Sequence, residues 1–286
     1  MKQIILTLLG GIIISTVFSQ ANVTDQKTTN KIVLASGQKI LVETNITMEA
    51  SLSPGMDMTG NTSSANTLEM KTGTDSSYTI SNTLTKVKLN MDMMGQSNSF
   101  DSDKKEDKES EIGKGVADKL NKPVDIFINK LTGKILPGNK TNNKKSDDQI
   151  NGAGGLLGIF SGTAEDAVVS EAFSLLPQGK KVGDNWTDST IEKNNKVVRV
   201  YTLRSINDKE AIIQLDIVTE ATTTIEQQGM SMDFTSTTKT KTDITTDIIT
   251  GLVKTRTSQS DISGSMQVMG QSMPITAKTT STSTYK

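Results

Sequence analysis

The chain contains no cysteine and no histidine among its 286 residues. The absence of cysteine excludes disulfides and thiolate nucleophiles, and the absence of both excludes the usual zinc sites. Ser-His-Asp and Cys-His catalysis are excluded as well, and histidine is the commonest general base near neutral pH. Acidic pairs such as Asp147-Asp148 fall in polar loops or at helix entries, where carboxylates are expected anyway. The sequence therefore predicts a protein that is not an enzyme, with no catalytic residue, metal or cofactor.

Aromatic residues are also scarce, at 3% of the chain, and hydrophobic residues make up 34%. Both fractions are low for a thick globular core. Threonine, serine, asparagine and lysine take their place, and these residues favour strands, turns and solvated faces. The formal net charge of −1 gives no electrostatic case for nucleic acid or for an anionic membrane surface. The composition predicts a thin, extended β architecture with no nucleic-acid partner.

The first 19 residues have the pattern of a secretory signal peptide. Lys2 precedes an apolar stretch from Ile4 to Phe18, which is short for a membrane span, and Ser19 provides a small residue at the expected cleavage site. No cysteine follows that stretch, so a lipid-anchored lipoprotein is excluded. We expect export to the periplasm or the cell exterior, with no transmembrane anchor after cleavage. An uncleaved anchor is the alternative.

The clearest structural signal is the stretch from Ala211 to Phe234. Its apolar residues fall mainly on one parity and its polar residues on the other, as in a strand with one apolar and one wetted face. Residues 212–227 would span roughly 50 Å, which is long for a strand. The chain turns near Gly229 and returns through Met230, Met232 and Phe234.

Similar alternation recurs elsewhere in the chain. Residues 40–52 alternate, and in the next strands the apolar parity shifts between Leu84 and Val87, which predicts a β-bulge. Residues 112–120 and 165–176 have helical spacing of apolar residues. Residues 137–155 are rich in glycine, asparagine and lysine and predict a mobile loop.

These elements predict a mainly β (α+β) fold in a single domain over residues 20–286. The expected architecture is a long, curved antiparallel sheet, half-barrel-like, with two short helices covering its concave face. Residues 94–97, Met-Gly-Gln-Ser, recur at 269–272. The repeat indicates either a duplicated half or independent use of the same turn chemistry.

The stretch from Leu176 to Trp186 resembles a signature of secreted bacterial β-rich proteins that form a family of unknown function. The turn from Asp247 to Val253 resembles that family's usual entry into a later strand. The resemblance covers about residues 32–284, and it implies secretion or envelope residence but no activity. The residues that carry the signature are Pro177, Val182, Gly183, Asp184 and Trp186.

At the level of architecture alone, the pattern is similar to periplasmic lipoprotein carriers of the LolA and LppX kind. The likeness implies a curved sheet wrapped around helices to enclose an apolar cavity. No motif is shared with those carriers.

Methionines lie on or beside many of the predicted strands. Methionine is flexible and polarizable, and it suits surfaces that adapt to varied apolar partners. One hypothesis is therefore a cavity for a lipid-like ligand; the alternative is that the methionines fill a core poor in phenylalanine and leucine. A third hypothesis is copper(I) binding by thioethers of Met56, Met58, Met230 and Met232. The candidate cavity-lining residues are Met48, Met91, Met93, Met230, Met232, Phe234 and Met266.

Together these patterns favour an exported, non-catalytic protein that binds or carries a hydrophobic small molecule. The rival interpretation is a structural or interaction protein of the envelope or secreted matrix, with strand edges that pair with a protein partner.

Overall fold

The computed structural model describes residues 29–51, 56–93, 95–117, 119–136, 165–192, 194–227, 230–268 and 271–286. The predicted signal peptide, residues 1–19, and the predicted loop at 137–155 lie outside the described residues. Eleven strands and two short α-helices account for most of the described chain.

The strands are β1 (Lys39–Ser51), β2 (Asp57–Gly73), β3 (Ser77–Met93), β4 (Gln96–Asp101), β5 (Pro123–Asn129), β6 (Asn185–Glu192), β7 (Asn195–Ile206), β8 (Glu210–Gln227), β9 (Met230–Asp247), β10 (Val253–Val268) and β11 (Gln271–Tyr285). The helices are α1 (Glu111–Ala117) and α2 (Glu165–Glu171), and a 3-10 turn at Glu106–Glu109 precedes α1.

All eleven strands belong to one sheet with the order β4-β3-β2-β1-β11-β10-β9-β8-β7-β6. Strand β5 lies on the same side of β3 as β4 and pairs with residues 77–83, whereas β4 pairs with residues 88–93. Every paired ladder between these strands is antiparallel. The first and last strands meet in the middle of the sheet, where Val42 lies opposite Tyr285. The mainly β, antiparallel prediction is confirmed.

Strand β8 has the two faces that its alternation predicts. Ile213 is fully buried and Leu215 is nearly so, whereas Ile212 and Val218 are exposed on the other face. We call the side of the sheet that carries Ile213 the inner face.

The predicted bulge is present in β3. Ala65 of β2 pairs with Lys86, but the next residue, Asn66, pairs with Leu84, so Thr85 has no partner in the ladder. The Thr85 hydroxyl donates to the Ala65 carbonyl at 3.0 Å. The extra residue keeps both Leu84 and Val87 on the inner face, and a bulge of this kind bends the sheet.

The sheet is strongly curved without closing. Strands β3 and β8 are separated by five other strands, so in a flat sheet they would lie roughly 29 Å apart. Residues from both strands nevertheless belong to one main core. The two edges also approach each other, because Lys134 Nζ, after β5, lies 3.4 Å from Asp188 Oδ2 of β6. The half-barrel-like prediction is confirmed.

The helices and loops fill one end of this half-barrel. Val169 of α2 is fully buried in the main core, and the extended segment after α2 pairs Phe173 with Leu252. Helix α1 packs through Ile112 and Val116 on a second cluster formed by Leu84, Val87, Leu89 and Phe100. Among the described residues, no helix is both long and apolar enough to cross a membrane.

Candidate functional site

The inner face is almost free of charge along its whole length. In the described strands, only four charged residues take inner positions, and three of these lie on the neighbouring strands β6 and β7. The outer face has the opposite character, with Lys239, Lys241 and Asp243 in succession on β9. The inner charged residues are Asp188, Glu192, Arg199 and Arg256.

A methionine cluster occupies the inner face at the end away from α2. We define it as Met48, Met58, Met91 and Met93, packed with Ala50, Ile262 and Ala277. Met58, Met91 and Met48 are buried, with exposures of 1%, 4% and 7%. Among the described residues, all members of the cluster come from the strands of the sheet.

Glycine at position 60 makes room for one of these methionines. Gly60 lies between Met48 and Met91 in the ladder, opposite both. A Cβ atom at this position would lie 3.5 Å from Met48 Cε. The methyl end of Met48 therefore lies directly over Gly60, and the inner face stays shallow there.

The structure brings together some of the candidate cavity-lining residues. Met48, Met91 and Met93 lie in the methionine cluster, whereas Phe234 and Met266 are half-buried and lie opposite each other two inner-face rows beyond Ile262 on β9 and β10. Met230 and Met232 pair with Gln227 and Ile225 at the β8–β9 turn, and their side chains lie outside the part that the structure describes. Sequence reasoning missed Ile262 and Ala277, although both share the inner parity of their strands.

A band of hydroxyl side chains separates the methionine cluster from the main core. Each of these hydroxyls makes at least one hydrogen bond with another on a neighbouring strand. The band therefore presents threonine methyl groups and hydrogen-bonded hydroxyls to the inside of the half-barrel. The pairs are Thr44 with Ser283 (2.9 Å), Thr242 with Ser258 (2.9 Å) and Thr240 with Ser260 (2.8 Å).

Arg256 lies where the hydroxyl band meets the main core. Its side chain is 13% exposed, and its Nε atom is 3.5 Å from Glu171 Oε2 at the end of α2. The Nε–H group is buried and has no hydrogen-bond acceptor among the described residues. An unsatisfied buried donor costs about 1 to 3 kcal/mol, so this nitrogen is a position where an acceptor would be favourable.

Two tyrosines lie within electrostatic reach of Arg256. Burial raises the pKa of Tyr285, and the Glu171 carboxylate raises it further, against the opposing effect of Arg256. Burial also raises the pKa of Tyr201, with a smaller contribution from Asp188. Both phenols therefore stay neutral to a higher pH than an exposed tyrosine does.

We expect the Tyr285→Phe variant to lose stability less steeply than the wild type above about pH 10. In the wild type the unfolded chain releases the phenol proton while the folded chain retains it. The folded state then binds more protons, so the free energy of unfolding falls as pH rises. Each such tyrosine contributes up to about 1.4 kcal/mol per pH unit. Urea unfolding from about pH 9 to about pH 11 measures the two slopes, and equal slopes would contradict the assignment.

The signature stretch forms a tight turn that leads into β6. Lys181 N–H donates to Asp184 Oδ2 and Asp184 N–H donates to the Lys181 carbonyl, both at 2.9 Å. Gly183, with a φ of +94°, donates to the Leu203 carbonyl at 2.8 Å and so attaches the turn to β7. Val182 is 57% exposed, and Pro177 follows the buried Leu176.

Trp186 of the signature stacks on Tyr201 of β7, with ring centroids 5.3 Å apart and planes 3° from parallel. Lys180 Nζ lies 5.7 Å from the centre of the Trp186 ring. The aromatic pair packs against the main core from the edge of the sheet. Gly183, Asp184 and Trp186 therefore attach the turn and the edge strand β6 to β7 and the main core.

A separate open cleft of about 800 Å³ lies at the β6–β7 turn. It is lined by hydrophilic side chains, including Lys196 and Glu220, whose charged groups are 3.4 Å apart. None of the candidate cavity-lining residues contributes to it.

Acidic residues do not gather into a metal site in the described part of the chain, where no three of them lie together. Of the proposed copper ligands, Met58 is buried in the methionine cluster and Met56 is 38% exposed. Three strands separate β2 from β9, which carries Met230 and Met232. Copper(I) binding stays a prediction.

Comparison with known proteins gives distant structural similarities. A lipovitellin structure concerned with lipid–protein interactions shares 11% identity with this chain, at a TM-score of 0.48. That similarity covers 89% of this chain, which spans only 25% of the lipovitellin chain. An outer membrane channel from Pseudomonas putida F1 shares 9% identity at a TM-score of 0.26, covering 89% of this chain and 97% of the channel.

No curated protein matches the sequence. A family model described as "Family of unknown function (DUF6263)" matches residues 75–253. The match covers more than half of the chain, so this protein belongs to the DUF6263 family.

Proposed function

We propose that this protein is exported to the periplasm or the cell exterior, is not an enzyme, and binds a hydrophobic, lipid-like small molecule along the inner face of its sheet. The observation that carries the proposal is the inner face itself, which combines a methionine cluster with a nearly uncharged surface inside a half-barrel. A curved sheet whose inner face only covered the main core would not extend beyond the helices. This one continues its apolar parity for several rows beyond them.

The side chains beyond the helices suit an adaptable apolar ligand. Methionine has three rotatable bonds and a polarizable sulfur, so several methionines together accommodate chains of differing shape. Small residues on the same face, such as Ala50, Gly60 and Ala277, let the flexible methionine side chains pack over them. Ligand pockets in proteins are mostly lined by apolar groups, and the methionine cluster is apolar in the same way.

We expect the Ile262→Glu variant to bind a long-chain hydrophobic ligand at least about tenfold more weakly than the wild type. Ile262 packs on the methionine cluster from β10, and a carboxylate there would lose its hydration when an apolar chain covers it. Displacement of a fluorescent fatty alcohol analogue from the purified protein measures the affinity.

The matched control is Ser263→Glu, which adds the same charge one residue away on the exposed outer face. This control should bind as the wild type does, and thermal unfolding checks that both variants fold. Equal loss in both variants, or no binding by the wild type, would contradict the proposal. If Ile262→Glu does not fold, Thr238→Trp fills the same row of the inner face without a charge.

Bound material in the native protein provides a direct test of the same proposal. Organic extraction and native mass spectrometry of protein isolated from its host should show a co-purifying lipid-like molecule. Fractionation of the host cells should place the processed chain outside the cytoplasm.

A second candidate function is suggested by the edge strand β6. Of the strands that the structure describes, β7 alone pairs with β6, and Ile191 on β6 is 76% exposed. An edge strand with free backbone groups can add a strand from another protein. Purified protein that carries no lipid but retains one envelope protein through β6 would favour this structural or interaction role over ligand binding.

A further inference from the structure

Arg256 differs from the other inner-face cation in how its charge is compensated. Arg199 donates a hydrogen bond of 3.2 Å from Nη1 to Asp188 Oδ1, and Lys134 also contacts that carboxylate. Arg256 has an ion contact with Glu171 at 3.5 Å, and its buried Nε–H lacks an acceptor among the described residues. Arg256 is therefore the inner-face cation with unused capacity to bind an anion.

The position of Arg256 on the sheet indicates where the rest of a bound anion would lie. On β10, Arg256 is followed at inner positions by Ser258, Ser260 and Ile262. The path from Arg256 to the methionine cluster is about 20 Å long, at roughly 3.3 Å per residue. The Ser258 and Ser260 hydroxyls along this path each hydrogen-bond to a threonine of β9, so an apolar chain lying over them would leave each with at least one partner.

On these grounds we infer that the ligand is an anionic amphiphile, whose carboxylate or phosphate head group binds Arg256 and whose apolar chain extends along β10 to the methionine cluster. This inference rests on the proposed function, because it assigns the chemical class of the ligand to the same inner face. A guanidinium has five N–H donors in a planar fork that matches the oxygens of such head groups.

The remaining polar groups around Arg256 are consistent with this arrangement. Tyr285 and Tyr201 are neutral phenols within electrostatic reach of the guanidinium, so neither repels an anion. Glu171 is the one carboxylate in contact with Arg256, and its side chain is 42% exposed. It can remain hydrated when a ligand takes its place at Arg256, and it competes with the ligand for that charge.

The test compares hexadecanoate, hexadecyl phosphate and hexadecanol, which share one chain and differ in the head group. The wild type should bind both anions roughly ten- to a hundredfold more tightly than the alcohol, as expected for charge-assisted hydrogen bonds. The Arg256→Gln variant should lose that preference while its affinity for hexadecanol stays unchanged. A preference between the two anions identifies the head group.

Two further variants separate anion binding from a structural role. Glu171→Gln removes the competing carboxylate and should increase affinity for hexadecanoate several-fold, which a purely structural ion pair would not do. Arg204→Gln removes an exposed cation from the outer side of β7, where Arg204 donates to Gln214 at 2.8 Å, and should change nothing. Thermal unfolding confirms that each variant folds, and Arg256→Met, which also removes the charge, replaces Arg256→Gln if that variant does not fold.

The outcomes separate binding of the anionic head group at Arg256 from hydrophobic binding along the inner face. Equal affinity of the wild type for the alcohol and the anions, unchanged by Arg256→Gln, would overturn the anionic head group and leave hydrophobic binding intact. Failure of the wild type to bind any of the three compounds would overturn both.

Discussion

Replacing Ile213 with alanine should lower the free energy of unfolding by about 3 to 5 kcal/mol. Ile213 is fully buried, and its ladder neighbours Leu203 and Ile244 are buried at 0% and 2% exposure. Removing three carbons at this point leaves a cavity between strands that are held in register along their whole length. Because β8 lies inside the sheet with both sides paired, the backbone has little freedom to collapse into that space.

The adjacent isoleucine provides a matched control for this prediction. Ile212 loses the same atoms on mutation to alanine, but it is 41% exposed on the outer face. We expect a cost of about 1 kcal/mol or less, mostly from reduced strand propensity. Urea unfolding of both variants measures the difference. Similar costs at the two positions would mean that the two faces of β8 are not distinguished as the burial pattern requires.

Sequence periodicity predicted β8 and the bulge in β3 because both follow from the alternation of apolar residues along one strand. Ile213 and Leu215 have polar neighbours at Gln214 and Asp216, so their parity marks one face. The change from Leu84 to Val87 marks the bulge in the same way. Information of this kind is local, and it is sufficient to assign elements and faces.

The position of Arg256 could not be predicted because its surroundings in sequence are polar on both parities. From Lys254 to Asp261 no apolar residue marks a face, and the register also shifts between Val253 and Thr255. Only the pairing with β9 and β11 places Arg256 on the inner face, opposite Ile244 and Ser283. Long-range pairing determines such positions.

The curvature of the sheet was predicted, but the contacts that accompany it were not. Lys134 and Asp188 are distant in sequence and belong to segments at opposite edges of the sheet. No local pattern indicates that these two side chains meet. The same holds for the docking of the segment after α2 on the β9–β10 turn, which depends on the shape of that turn.

That turn is the subject of the second prediction: the Gly251→Ala variant should be about 2 to 5 kcal/mol less stable than the wild type. Gly251 has a φ of +74°, a conformation that costs an L-residue about 1 to 2 kcal/mol. A Cβ atom there would also lie 2.6 Å from Leu175 Cδ2, so Leu175 must move within the core. The Gly251 carbonyl accepts a hydrogen bond from Ser174 N–H at 2.9 Å, which resists displacement of the turn.

Gly179→Ala separates the two contributions to this cost. Gly179 has nearly the same φ, +76°, but a Cβ atom there would meet nothing within 4 Å. Its replacement should therefore cost only the conformational part, about 1 to 2 kcal/mol. The excess measured for Gly251→Ala in parallel urea unfolding is the energy of forcing Leu175 out of its place beside Gly251 in the main core. If the two variants lose the same stability, the β9–β10 turn is not packed against the segment after α2, and the main core does not close that end of the half-barrel.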